Sequence, residues 1–256
     1  MAVSFAPFIA VAVFAVFAGC MSTPPANDTA GTGDGSDTGG SGDSGGDGGD
    51  GGDTDPPAPV TALYVATVED ELYYDTTFWP AVTAMRSAAV QDGIRTPMND
   101  LPTSGQLNYA GYMELLIGST VASANVAGTT ALTLTLGNGA IIGSATGFMG
   151  PAIDENDIER LVNYDGTILI TNGLVTANGS GEAALSVDVD GSLDSGLHVF
   201  GVDGTFVGFL YGPGAEGLQA RASNTSGDGS MVATVDGGAA QIGVGTISAT
   251  TSPPTP

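Results

Sequence analysis

Cysteine, histidine and carboxylate side chains carry most protein chemistry, and this 256-residue chain has one cysteine, Cys20, and one histidine, His198. That count excludes a His/Cys metal cluster and any intramolecular disulfide. A Ser-His-Asp triad would have to use His198. It lies in Gly196-Leu197-His198-Val199-Phe200-Gly201, a strand-like run, and no nucleophile-elbow sequence occurs anywhere. Carboxylates do pair: Asp188 and Asp190 share a strand face, and Asp154, Glu155, Asp157 and Glu159 cluster. Glycoside hydrolysis needs two carboxylates across a cleft; a loop calcium at 154–159 is open to these acids, but the glycine and spacing of an EF-hand are absent. The cluster reads as a solvated acidic loop. The expectation is a protein that is not an enzyme, with no catalytic residue, no metal and no cofactor.

Cys20 has its own context. Residues 5–18 are apolar and uncharged, too short for the roughly 20 residues of a membrane-spanning helix but suited to the core of an export signal. Ala18 and Gly19 then lead into the cysteine. This arrangement resembles a bacterial lipobox, although Phe17 stands where Leu is usual and the first four residues carry no Lys or Arg. The resemblance implies a signal peptide at 1–19, lipidation of the Cys20 thiol and cleavage just before it. A lipidated Cys20 is the partner of a membrane, not of His198.

From 20 to 58 the composition changes. Residues 29–55 are almost entirely Gly, Asp, Ser and Thr, with Gly-Gly-Asp repeated three times at 45–53. Without large apolar side chains such a segment does not recover its ordering entropy, so a disordered tether is expected. Its reach is about 35 Å by flexible-chain scaling. Repeat calcium sites need a recurring inward apolar residue, which is missing. Pro56, Pro57 and Pro59 mark the boundary of the folded part.

Four arginines and no lysine face 28 acids, a formal charge of −24. Such a surface repels nucleic acid and anionic headgroups, which excludes nucleic-acid binding. With 41 glycines and 12% charged residues, many short strands and tight turns are favoured over a helical bundle.

Within 59–103 one short helix is expected over 81–92, with Val82, Met85 and Ala89 on one face, Pro80 in the first turn and Gly93 at the stop. Ahead of it Tyr73, Tyr74, Phe78 and Trp79 form an aromatic group, read either as a ligand-binding patch or as packing against the neighbouring domain. From 104 to 250 the pattern is strand and turn, followed by a short tail at 251–256. Tyr109, Gly111, Met113, Leu115 and Ile117 alternate along one strand, and Leu132 and Leu134 alternate with threonines along the next. Gly137-Asn138-Gly139 suits a hairpin turn. Further strand-like runs follow at 140–148, 161–171, 174–177, 183–189, 197–200, 205–211, 218–222, 231–235 and 242–247. Short strands with one polar face indicate an antiparallel sandwich or barrel.

Residues 205–216 carry a more specific pattern. Gly208, Tyr211, Gly212, Pro213, Ala215 and Glu216 resemble the late strand and turn of the β-barrel in transferrin-binding protein B and related surface lipoproteins. Residues 101–111, with Pro102, Ser104, Gly105, Tyr109 and Gly111, are similar to that family's entry into its first strand, and 241–246 to its closing strand. The resemblance implies an all-β, eight-stranded antiparallel barrel of the single-barrel kind, without implying transferrin binding. Read from the residues themselves, Tyr211 to Glu216 make a structural turn, tied by the Glu216 carboxylate.

These observations give the expected function: an outer-membrane surface lipoprotein, a palmitate-bearing acidic binding protein that engages a protein or small molecule through barrel-rim loops. The alternative is a structural envelope lipoprotein without a discrete ligand.

Overall fold

In a computed structural model the described residues are 62–90, 93–153, 158–225 and 229–252. Cys20, the signal run and the Gly/Asp-rich stretch lie outside them, as do Asp154, Glu155 and Asp157.

The strands are β1 (Gln106–Gly118), β2 (Ser123–Thr135), β3 (Ala140–Ile153), β4 (Glu159–Ala177), β5 (Ala183–Asp194), β6 (Val199–Tyr211), β7 (Gly217–Ser223), β8 (Ser230–Val235), β9 (Gly238–Ala239) and β10 (Ile242–Thr250). Every pairing is antiparallel, and each strand from β1 to β6 pairs with its successor. β7 and β8 lie end to end along β6, taking its Val207–Tyr211 and Phe200–Thr205 stretches respectively. They act as one interrupted strand. β10 pairs with β7 on one side and β1 on the other, which closes an eight-stranded up-and-down barrel.

The closure explains the alternation read in the sequence. Tyr109, Met113, Leu115 and Ile117 point inward and are buried, as are Leu132 and Leu134. Eight strands leave an interior wide enough for side chains to fill, and here Phe148, Phe200, Phe206, Met113, Ile168 and Leu210 fill it, each fully buried. Gly128 is required beside Phe148, since a Cβ there would stand 2.7 Å from the ring.

The residues before the barrel form a strap around its outside. Residues 62–66 continue the sheet at the far end, where Ala66 donates to the Leu161 carbonyl and Asn163 to that of Tyr64. Helix α1 (Val68–Tyr73) then starts at a capping box: the Asp70 N–H donates to Thr67 Oγ1, and the Thr67 N–H to the Asp70 carboxylate. A single π turn (Tyr74–Phe78) joins α1 to α2 (Trp79–Ala89) without a break. The helical run therefore begins at Val68, well before the expected 81, because the Thr67–Asp70 cap starts it earlier. Val82, Met85 and Ala89 face the barrel and are buried, as their spacing predicts. Burying a large apolar side chain contributes about 1.5–3 kcal/mol.

The strap ends by filling a gap. At the near end β5 and β6 part, and residues 94–98 enter between them. Thr96 N–H donates to the Leu210 carbonyl, Ala183 N–H to that of Thr96, and Met98 N–H to that of Gly181. Thr96 is fully buried, its hydroxyl donating to the Gly212 carbonyl at 2.6 Å. Strand edges that would otherwise stay unpaired are thus covered by the chain's own segment.

Candidate functional site

Because β-strand side chains alternate, the face opposite the core forms the outer wall. On that wall, at the near end, a groove of about 500 Å³ lies across β5, β6 and β7. Val207, Phe209 and Tyr211 come from one face of β6, Gln219 and Arg221 from β7, and Arg95 from the strap. Ala184 and Ser186 of β5 complete the wall beneath them. The register sets Val207 directly beside Arg221 and Phe209 beside Gln219.

Two arginines face this groove in different states. The Arg95 guanidinium lies over the Phe209 ring, 3.6 Å from its centroid, and donates from Nη1 to Glu182 at 2.9 Å. The bond to Glu182 holds the guanidinium further into its charged form. Glu182 is itself held below its ordinary value by the Asn178 amide and then by Arg95. The charge of Arg95 is therefore offset by Glu182. Arg221 is exposed, and among the described residues its guanidinium has no hydrogen-bond or ion-pair partner.

Gln219 and Arg221 also border a second groove of about 480 Å³, which runs under α2 across β7, β10 and β1. There Arg86 grips Glu114 with Nε donating to both carboxylate oxygens, at 2.9 and 2.8 Å. Three of the four arginines of a strongly acidic chain thus line one stretch of wall, and among the described residues Arg221 at its middle is the one without a carboxylate partner.

The aromatic group, read as a ligand patch or as packing, divides. Phe78 is buried against Ala127 and Met149 and meets Tyr112 edge-on at 5.4 Å. Tyr74 and Trp79 are half-buried, each ring 5.8 Å from its stacking partner, Tyr74 on Phe78 and Trp79 on Tyr74. Tyr73 is exposed. The group mainly fastens the strap to β1, β2 and β3, away from the groove.

The 211–216 motif forms the β6–β7 turn. Gly212 has φ 85° and Ala215 φ 57°, the left-handed region where glycine is at ease. The Gly214 N–H donates to the Glu216 carboxylate at 2.9 Å, and Thr251 N–H to the Glu216 carbonyl. Pro213 lies within the turn, and Tyr211 ahead of it is half-buried and faces the groove.

At the far end His198 Nδ1 lies 2.8 Å from Asp236 Oδ2, and Ser195 is nearby in sequence and space. This is not a hydrolytic triad. The Ser195 hydroxyl donates to the His198 carbonyl and accepts from the His198 N–H, and the residue is buried. Asp236 also accepts from the Val199 N–H at 2.9 Å, so the group joins two turns. Asp188, one of the paired acids, accepts from Asn172 and Thr205.

Sequence reasoning did not single out Arg95 or Arg221. The available signal was scarcity: with only four basic residues, any two on one outer face are notable in so acidic a chain. No known protein-family model matches the chain, and no curated protein matches it in sequence.

Proposed function

We propose that the chain is a lipid-tethered, non-catalytic binding module of the outer-membrane surface, and that the outer-wall groove between Arg95 and Arg221 is its binding site. The observation that carries the reading is Arg221, a guanidinium without a described partner beside the exposed apolar Val207, in a concavity of ligand size. The lipobox-like run ending at Cys20 and the Gly/Asp-rich stretch after it support membrane tethering. The absence of Asp after Cys20, where Met21 and Ser22 stand, favours the outer membrane over the inner. The Tyr211–Glu216 turn and the eight-stranded closure support kinship with the single-barrel relatives of transferrin-binding protein B. The rim loops expected to bind give way in this reading to the wall, where the groove is already formed.

Two measurements test it. Metabolic labelling with a palmitate analogue marks the wild-type chain and leaves Cys20→Ser unmarked; equal labelling of both removes the anchor. A fragment screen by NMR on the full chain yields ligands that perturb Val207, Tyr211 and Gln219 and are lost in Val207→Trp. A screen without groove ligands favours a structural envelope lipoprotein.

A further inference from the structure

We infer that the groove takes a small aromatic monocarboxylate, its carboxylate seated on Arg221 and its ring lying over Val207 toward Phe209. This rests on the binding-module reading and adds the chemical class of the ligand.

Arg86 has Glu114 and Arg95 has Glu182, so neither offers a full charge to a ligand. Arg221 offers five donors in a planar fork that matches a carboxylate. Its sheet neighbours are Val207 on one side and Thr246 on the other, so no acid sits directly opposite to compete.

Size and shape follow from the wall. Flanking side chains on a paired strand stand about 5 Å apart, so a carboxylate on Arg221 places its attached ring over Val207, which is 36% exposed. Arg95 already covers the Phe209 face, which bounds the space on the side toward Tyr211. Gln219 is held toward Ser248, donating at 3.3 Å, so it borders the site instead of crossing it.

The field of the whole chain selects for a small anion over a large one. Twenty-eight acids against four arginines repel a polyanion in proportion to its charge, whereas a single carboxylate meets that field once and Arg221 at contact. An acidic peptide or polysaccharide is therefore disfavoured by the same surface that leaves Arg221 available.

The test is isothermal titration of the full chain with 2-naphthoate and with its neutral isostere 2-naphthamide. Naphthoate should bind saturably and about tenfold more tightly than the amide, the worth of one charge-assisted hydrogen-bonded contact. Arg221→Gln should erase that preference, Arg221→Lys should retain part of it, and Arg160→Gln, which removes the same charge elsewhere, should leave it intact. Equal affinity for acid and amide, with both lost in Val207→Trp, overturns the anion assignment while leaving the groove as a binding site. No binding of either probe, or naphthoate binding unchanged in Arg221→Gln, overturns the inference outright. A hexaglutamate peptide that binds more tightly than naphthoate at low salt also overturns it, in favour of an acidic macromolecule.

Discussion

The Tyr109 hydroxyl donates to the Ala215 carbonyl at 2.7 Å, linking the first barrel strand to the β6–β7 turn more than a hundred residues later. Both residues are buried, and burial holds the Tyr109 phenol far above its ordinary value, with Glu216 adding to the shift. Removing the hydroxyl in Tyr109→Phe leaves the Ala215 carbonyl without its partner. The expected loss is about 1–3 kcal/mol, read from urea denaturation. An ultraviolet pH titration should show Tyr109 still protonated where exposed tyrosines have ionised.

Thr130 presents the opposite case. Its hydroxyl is buried in the barrel and has no hydrogen-bond partner among the described residues. Replacing it with an isosteric apolar side chain removes a desolvated polar group and nothing else. Thr130→Val should therefore stabilise the fold by about 1 kcal/mol, visible as a higher urea midpoint with an unchanged slope. A midpoint that falls would show that the hydroxyl has a partner after all.

Gly128 tests the packing of the barrel. A methyl group there meets the Phe148 ring at 2.7 Å, inside a wall that has neighbours on both sides. Gly128→Ala should destabilise by about 1–3 kcal/mol, and the double variant Gly128→Ala/Phe148→Leu should recover part of the loss. Independent, additive effects in a double-mutant cycle would contradict this contact.

Acid stability follows from Asp236. Its carboxyl is held below the ordinary 3.8 by the Val199 N–H and then by His198. A depressed carboxylate stabilises the fold above its unfolded value and loses that contribution as pH falls through its lower folded value. The urea midpoint should therefore drop as the solution is acidified below 3.8. Asp236→Ala should flatten that part of the profile and loosen the turns at 195–198 and 236–241. An identical acid limb in the variant would show that the turn does not rely on this carboxylate.

Much of the barrel is legible in the chain because period-two alternation is a local consequence of burial on one face. Tyr109 to Ile117 and Leu132 to Leu134 read directly as inward rows. Strand boundaries are less legible where polar turn residues sit inside strands. The runs at 161–171 and 174–177 are one strand, β4, with Asn172 at φ 50° and the register shifting between Thr171 and Leu174. Residues 199–200 of the first run and the whole of 205–211 likewise belong to β6, since Gly201 and Gly204 keep their ladder pairs with Thr234 and Met231. Glycine there permits close strand approach, where a one-dimensional reading sees a turn. The groove was illegible for a different reason: Arg95 and Arg221 are far apart in sequence, and only the insertion of 94–98 beside β6 brings them to one wall.

The central claim is that Arg221 is the anchoring group of a binding groove on the outer wall. Four arginines give four Nε–Hε cross-peaks in a ¹H–¹⁵N spectrum, and the Arg221→Gln variant assigns one of them. On titration with 2-naphthoate the Arg221 peak should move in a saturable way while the Arg160 peak stays in place. An Arg221 peak that does not move, or four peaks that drift together without saturation, would contradict the account.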